Sequence, residues 1–290
     1  MKKNCLHANA AQSIKRALLG AACLPLIVAG MVTDAEATVP CGDFGECKAI
    51  IEINSTDGDI GFHWLADADD LDSLRIDDPL GRKIYENKAF GALHDQKLTE
   101  TFGESSEPVC KEALKEDPDD VVVTLEDFAA RWASGTYMVS GSADGGEKLF
   151  GETLLSYYLP AAPENLMFDA NTISWSPGDT LGECATTEEL DQLVAAGILP
   201  IHPEEVPLVA WEVVLEAENG SKFTVRLPPG QTSISVPAEF LASIPANTTA
   251  KAEVGAIGGD VPNGDDDNAT FTELAGLCLN ETGDGCPVVE

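Results

Sequence analysis

Basic residues are scarce in this sequence. There are 17 Lys and Arg against 50 Asp and Glu among 290 residues, which gives a formal net charge of −33 at pH 7. A surface this acidic repels the phosphate backbone of nucleic acids and anionic lipid headgroups. The charge therefore argues against nucleic-acid partners and against attachment to a membrane surface. Two interpretations of the excess acid stay open: solubility in a salty medium, where charges are screened over about 8 Å or less, and a population of cation sites.

Signature motifs of common enzyme classes are missing after residue 37. The sequence has no GxSxG, HExxH or glycine-rich phosphate loop there. Its three remaining histidines, His63, His94 and His202, are scattered, and each is interpreted as exposed or structural. Pairs of carboxylates can hydrolyse glycosidic bonds, but the acids are spread along the chain and no pair stands out. We therefore nominate no catalytic residue.

Long apolar runs are limited to the N-terminus. Residues 17–32 form a run of 16 residues that follows four basic residues and precedes Ala35-Glu36-Ala37. This arrangement predicts a signal peptide at residues 1–37, cleaved after Ala37. A retained membrane anchor is the alternative, although a span needs about 20 apolar residues. The sequence thus predicts a secreted or periplasmic protein with no membrane insertion after signal removal.

Cysteine pairs of the CxxC type are absent, which weakens a zinc interpretation. The cysteines that follow the predicted cleavage site are even in number, which suits disulfide bonds in an oxidising compartment. They are Cys41, Cys47, Cys110, Cys184, Cys278 and Cys286. The segments CGDFGEC and CLNETGDGC could close locally and leave Cys110 with Cys184. Six cysteines allow 15 pairings, and the sequence alone does not choose among them.

Hydrophobic periodicity predicts mainly β-strands. Apolar and polar residues alternate over residues 49–53, 60–64 and 98–102, which is typical of strands with one buried face. Residues 135–140 and 148–157 flank ADGG, whose glycines permit the positive φ of a tight turn. These two segments are therefore predicted to form a hairpin.

Two helices interrupt this pattern. Thr124 and Asp127 resemble an N-cap and its third-position acid, and they predict a helix that starts there. In TTEELDQLVAAG, Thr186 is the predicted N-cap, Glu189 occupies the third position and Gly197 ends the helix. The second helix lies in an insertion between two predicted strands.

The sequence LPAAP, residues 159–163, is the predicted domain boundary, because two prolines bracket two alanines and the alternating pattern restarts after them. We expect an N-terminal β-sandwich at residues 38–158 and a second domain at residues 164–290 that ends in a disulfide-prone tail. The first half is similar to bacterial secreted jelly-roll domains only in the order of its strands and turns.

The second half resembles a fibronectin type III sandwich over roughly residues 163–277. The likeness rests on ENLMFDANTISWSPG, VAWEVVLEAENGSKFTVRLPPGQTSISVP and TTAKAEVGAIGGDVPNGDDDNATFTEL. The family's second-strand tryptophan corresponds to Trp175, its third and fourth strands to residues 211–216 and 223–227, and its sixth strand to residues 250–257. The tyrosine that usually starts the sixth strand is absent. The resemblance implies a two-sheet sandwich that binds partners through its loops.

Residues 54–70, NSTDGDIGFHWLADADD, contain five aspartates and one histidine. An EF-hand loop that starts at Asp57 would need an oxygen ligand, a glycine and a glutamate at positions five, six and twelve, and the sequence meets none of these requirements. The motif is interpreted first as a turn between two strands. The alternative is a Ca²⁺ site that uses Asp57 and Asp59; apart from this Ca²⁺, no cofactor is predicted. A second acidic stretch, residues 258–268, is interpreted as a solvated loop.

The predicted fold class is therefore all-β, with two β-sandwich domains in tandem, the second fibronectin type III-like with a helical insertion. The function predicted is non-catalytic binding of an extracellular or envelope protein or a polysaccharide, through loops on a rigid scaffold. A structural spacer or assembly subunit of the cell envelope is the first alternative. A carbohydrate-active enzyme is the second.

Overall fold

A computed structural model describes residues 41–259, 266–282 and 285–286. The predicted signal peptide lies outside these residues, as do residues 260–265 of the acidic stretch 258–268. Within the described ranges, no helix is long and apolar enough to cross a membrane.

The structure is 48% strand and 17% helix, so it is mostly β rather than all-β. In chain order the strands are β1 (Glu46–Asn54), β2 (Asp59–Asp77), β3 (Lys83–Lys88), β4 (Leu98–Glu104), β5 (Gly135–Ala143), β6 (Lys148–Leu155), β7 (Glu164–Asp169), β8 (Thr172–Ser176), β9 (Leu208–Ala217), β10 (Lys222–Leu227), β11 (Ser233–Ser235), β12 (Thr248–Gly259) and β13 (Asp266–Leu279). The α-helices are α1 (Ala92–Gln96), α2 (Leu125–Arg131), α3 (Thr187–Ala195) and α4 (Ala238–Ser243).

The predicted strands and helices are present. Alternation over residues 49–53, 60–64 and 98–102 corresponds to β1, β2 and β4, and β5 pairs with β6 as the predicted hairpin. The hydroxyl of Thr124 accepts a hydrogen bond from Asp127 N at 3.2 Å at the start of α2. At the start of α3, the Glu189 carboxylate accepts one from Thr186 N at 2.8 Å. Both N-terminal predictions are confirmed.

Ten strands form one large mixed sheet. Its main path runs β10-β9-β12-β13-β1-β2-β5-β6, and β3 and β4 also pair with β2. Strand β1 is antiparallel to β2 but parallel to β13, with Glu52 opposite Ala269 and Asn54 opposite Phe271. This pairing joins the two halves of the sequence, because β1 comes from the first half and β13 from the second.

A second sheet has three strands in the order β11-β8-β7. It packs against β9 and β12 of the large sheet, where Trp175 on β8 meets Trp211 on β9 edge to face, with ring centroids 5.8 Å apart. The second half of the chain therefore encloses its own buried cluster between two layers.

The first half has a separate buried cluster, and part of the second half contributes to it. Leu181, Leu190, Leu193 and Leu199, which flank or belong to α3, pack with the core residues of β1, β2 and β5. The predicted helical insertion therefore packs on the first half, although it lies in sequence between strands of the second.

Residues 159–163, the predicted linker, have no regular secondary structure and are all buried. Burial means that this segment is packed into the protein rather than exposed as a flexible connection. A tandem arrangement of two sandwiches is not clearly shown by a fold with one shared sheet. The division of the chain at residues 159–163 stays a prediction.

The six cysteines among the described residues form three disulfides. The pairs are Cys41–Cys47, Cys110–Cys184 and Cys278–Cys286, with Cα–Cα distances of 5.2, 5.4 and 5.5 Å. These separations lie within the usual range for disulfides. Two bridges close short loops, whereas Cys110–Cys184 spans 74 residues and ties the insertion before α3 to the segment after β4.

Candidate functional site

Strand alternation creates an acidic face on the large sheet. On β1, Ile51 and Ile53 are fully buried in the core, so Glu52 and Asn54 point to the opposite side. On β2, Phe62 is likewise buried in the core, while His63, one position later, points to the same side as Glu52. The same two-residue period places acids of β9, β12 and β13 on this face.

Acidic side chains of this face line a cleft of about 260 Å³. Its lining includes the carboxylates of Glu52, Asp59, Glu107, Glu212, Glu253 and Glu273. They come from five strands and from the segment that follows β4. We call this feature the acidic cleft.

The aromatic ring of Phe271 forms an apolar part of the cleft and depends on the absence of a side chain at Gly255. Gly255 on β12 lies opposite Phe271 on β13. A Cβ atom at Gly255 would lie only 2.4 Å from Phe271 Cε1, so the ring occupies the space that a side chain would fill. The cleft therefore combines one aromatic surface with surrounding carboxylates.

Three potential metal ligands meet beside the acidic cleft, and two of them, Glu52 and Glu107, belong to its lining. His63 is 5% exposed; its Nε2 lies 3.1 Å from Glu107 Oε1 and its Nδ1 lies 3.9 Å from Glu52 Oε2. One ligand atom from each of the three residues lies within 4.8 Å of the others. Imidazole nitrogens and carboxylate oxygens are common ligands of divalent transition metals.

The electrostatic surroundings disfavour negative charge in this cleft. Burial, followed by repulsion from Glu107 and other acids, raises the pKa of Glu52 from 4.5 to about 7, although His63 acts in the opposite direction. Burial and the charges of Glu107 and Asp57 raise the pKa of Asp59 from 3.8 to about 6. Perturbed carboxyl groups that gather in a cleft are typical of functional sites.

His63 has a raised pKa for a different reason. Burial by itself would lower the pKa of this imidazole, but the hydrogen bond to Glu107 and the charges of Glu52 and Glu107 outweigh it. The imidazole therefore lies between two carboxylates that favour its protonated form. Two other lining carboxylates share a cation in a similar way: Lys251 Nζ contacts Glu253 Oε1 at 2.5 Å and Glu273 Oε1 at 3.3 Å.

The sequence-predicted residues Asp57 and Asp59 have different positions. Asp57 lies in a turn that Asn54 organises: the Asn54 side chain accepts hydrogen bonds from Thr56 N and Asp57 N and donates one to Asp57 Oδ2 at 3.0 Å. Asp59 begins β2 and lines the acidic cleft. The geometry accounts for the motif as a turn, and calcium at Asp57 and Asp59 stays a prediction.

Sequence reasoning missed most of this site. It treated His63 as exposed or structural and did not single out Glu52 or Glu107. The sequence did contain one indication of the site: the two-residue period of β1 and β2 places Glu52 and His63 on the same face of their hairpin. The other two histidines lie elsewhere: His94 is within 3.5 Å of Asp72, and His202 is within 3.5 Å of Asp191.

Comparisons with known proteins found no matching family model and no matching curated protein. Solved structures similar to this chain include a two-domain fibronectin type III segment of chicken tenascin, at 13% identity, covering 80% of this chain and 98% of that one, with a TM-score of 0.21. A tetra-tandem repeat from the extending region of a large adhesion protein is 13% identical, covering 80% of this chain and 50% of that one, with a TM-score of 0.24. A domain of a biofilm-associated protein is 9% identical, covering 81% of this chain and 30% of that one, with a TM-score of 0.22.

These fibronectin type III and adhesin structures have TM-scores of 0.24 or less. We therefore infer a function from the sequence and from the geometry of the cleft.

Proposed function

We propose that this protein is a non-catalytic, extracytoplasmic binding protein whose acidic cleft receives a basic segment of an extracellular or envelope protein. The observation that carries the proposal is the convergence of six carboxylates from distant parts of the sequence in one cleft. An opposite charge on the partner would relieve the repulsion that raises the pKa values of Glu52 and Asp59.

The fold supports binding at a rigid surface. The site lies on the strands of a sheet rather than on the loops that the sequence suggested, and strands hold side chains in a defined geometry. The layered arrangement of the second half, with β11-β8-β7 against β10-β9-β12-β13, fits the proposed fibronectin type III-like domain. Such a scaffold hosts many functions, so the cleft and not the fold identifies the ligand class.

Disulfides support the proposed compartment. Three buried or partly buried bridges are characteristic of proteins that fold in an oxidising environment. Export through the predicted signal peptide would place the protein in the periplasm or outside the cell. There, basic segments of envelope proteins are available as partners.

A glycosidase fits the cleft less well. Its two carboxyl groups must flank the scissile bond with room for the sugar between them. Here the imidazole of His63 already lies between Glu52 and Glu107, at 3.9 Å and 3.1 Å. Glu52 and Glu107 therefore cannot enclose a sugar ring in this arrangement.

The proposal can be tested with a fluorescent oligolysine peptide and the protein lacking residues 1–37. We expect saturable binding, measured by fluorescence anisotropy, that the double variant Asp59→Asn/Glu212→Gln weakens by about tenfold or more, equivalent to about 1.4 kcal/mol. The matched control, Asp69→Asn/Glu147→Gln, removes two exposed carboxylates outside the cleft lining. If both variants weaken binding equally, the peptide recognises overall charge, and a spacer role is favoured over a specific site.

A further inference from the structure

A group of three potential metal ligands adjoins the acidic cleft. It joins the imidazole of His63 with the carboxylates of Glu52 and Glu107, which line the cleft, whereas the remaining lining offers carboxylates, one amide, one lysine and apolar side chains. We propose that Glu52, His63 and Glu107 form a binding site for a divalent transition-metal ion such as Zn²⁺. This inference goes beyond the proposed function, because metal binding requires no protein partner.

The backbone fixes two of the three ligands. Glu52 lies opposite Gly61 in the β1–β2 ladder, and His63 is two residues further along β2 on the same face. Both residues occupy the interior of the ten-stranded sheet, since β1 lies between β2 and β13. Their Cα positions are therefore held by strand pairing on both sides and do not depend on a bound ion.

The third ligand is positioned by the segment that continues β4. Ser105 N donates to Phe62 O at 2.8 Å, Phe62 N donates to the Ser105 hydroxyl at 2.9 Å, and Ile60 N donates to Pro108 O at 3.2 Å. These bonds hold the segment alongside β2 and place Glu107 over Gly61. The ligands thus come from three segments that are each tied to the sheet.

Gly61 provides the space in which the ligands meet. A Cβ atom at this position would lie 2.8 Å from His63 Nε2 and 2.9 Å from Glu107 Oε1. The backbone of Gly61 does not have positive φ, so turn geometry does not explain the glycine. The missing side chain is what allows Glu107 to approach the imidazole.

The donor set determines the class of metal. Zn²⁺ and similar ions bind imidazole nitrogen and carboxylate oxygen at about 2.0–2.2 Å, so their ligand atoms are about 3–4 Å apart. Donor atoms already within 4.8 Å of one another need only a small side-chain movement to reach that spacing. Calcium prefers six to eight oxygen ligands, and an imidazole therefore favours a transition metal.

The ion would also balance the local charge. Two ionised carboxylates and a neutral imidazole carry two negative charges, which a divalent cation neutralises. Metal binding competes with protonation of His63, because a ligating imidazole nitrogen must be deprotonated. The competing explanation is thus a purely structural ion pair, in which protonated His63 bridges Glu52 and Glu107 and the residues have no affinity for metal.

Titration of the protein lacking residues 1–37 with Zn²⁺, after treatment with EDTA, distinguishes these explanations. We expect isothermal calorimetry to show one saturable site per chain, and Co²⁺ to give visible absorption bands when it occupies the same site. Glu52→Gln and Glu107→Gln should each weaken Zn²⁺ binding by at least about tenfold. Both substitutions preserve size, and circular dichroism and the melting temperature will verify that the variants are folded.

The matched control is Glu104→Gln. Glu104 lies opposite His63 in the β2–β4 ladder and contributes to the same local potential, but it does not belong to the three-ligand group. Its substitution should change Zn²⁺ affinity less than about threefold, and excess Ca²⁺ should not displace Zn²⁺. The proposal is overturned if no saturable Zn²⁺ site exists, if Glu104→Gln has the same effect as Glu107→Gln, or if Ca²⁺ competes equally. None of these results depends on oligolysine binding.

Discussion

At the scale of single residues, the acidic cleft gathers groups that oppose folding at neutral pH. Glu52 is a partly buried carboxyl group near Glu107, Glu104 and Glu212, and each of these charges adds to the cost of ionising it. Side chains that reduce the stability of the folded protein are expected in binding sites, where the same charges contribute to ligand binding. Neutral glutamine at the same position would fit the same space without the repulsion.

The substitution Glu52→Gln is therefore expected to stabilise the metal-free protein at alkaline pH. The folded-state pKa of Glu52, about 7, lies above its ordinary value of 4.5, so this group's contribution to stability falls as pH rises from about 4.5 past 7. The full shift corresponds to about 3 kcal/mol, and solvent screening of a side chain that is 35% exposed reduces it to about 1 kcal/mol.

Urea unfolding in EDTA at about pH 4 and pH 8.5 measures this difference. The variant should exceed the wild type by about 1 kcal/mol at the higher pH and match it at the lower one. A variant that is less stable than the wild type at both values would mean that Glu52 makes favourable contacts that outweigh its repulsion. In that case the description of the cleft as electrostatically unfavourable would be wrong.

At the scale of elements, the sequence predicted the strands and helix starts that depend on residues close together in the chain. The alternation around Ile51 and Phe62 identified β1 and β2, because one face of each strand is buried. Thr124 and Glu189 identified the starts of α2 and α3, because capping depends on residues three positions apart. Such signals depend only on near neighbours in the sequence.

The site depended on contacts that no local pattern contains. Glu107 reaches His63 because the segment after β4 bonds to β2 through Ser105 and Phe62, about 40 residues apart in sequence. Strand β13 reaches β1 from more than 200 residues away and pairs with it in parallel. Parallel pairing has no hairpin signature, so the sequence could not show that acids of β1 and β13 share one cleft.

The Cys110–Cys184 disulfide is expected to stabilise the arrangement of elements more than either short-range bridge. It spans 74 residues, against 6 for Cys41–Cys47. The chain-entropy estimate is about 4 kcal/mol for the long loop and about 2 kcal/mol for the short one. The double variant Cys110→Ala/Cys184→Ala should therefore lose more stability in urea unfolding than Cys41→Ala/Cys47→Ala. A larger loss for the short bridge would contradict this ranking.

At the scale of the whole molecule, the two halves of the chain are joined at several points near β1. Asn268 on β13 is buried; its side chain accepts a hydrogen bond from Ile51 N at 2.8 Å and donates one to Ser156 O at 3.0 Å. The insertion around α3 packs on the first buried cluster. Cutting the chain at residues 159–163 would therefore leave residues 38–158 without part of their core and without the β13 partner of β1.

We accordingly expect the intact protein to unfold in a single cooperative transition, because neither half can lose its structure without exposing buried surface of the other. Intrinsic tryptophan fluorescence and far-ultraviolet circular dichroism should give the same urea midpoint.

Asn268→Ala, which leaves Ile51 N without its partner, should lower the free energy of unfolding by about 1–3 kcal/mol and keep the two midpoints together. Asn280→Ala is the matched control, since that side chain donates to Leu241 O and Ile244 O, both in the second half. Two well-separated transitions would instead favour the tandem domains divided at residues 159–163, with the shared sheet contributing little to the coupling between them.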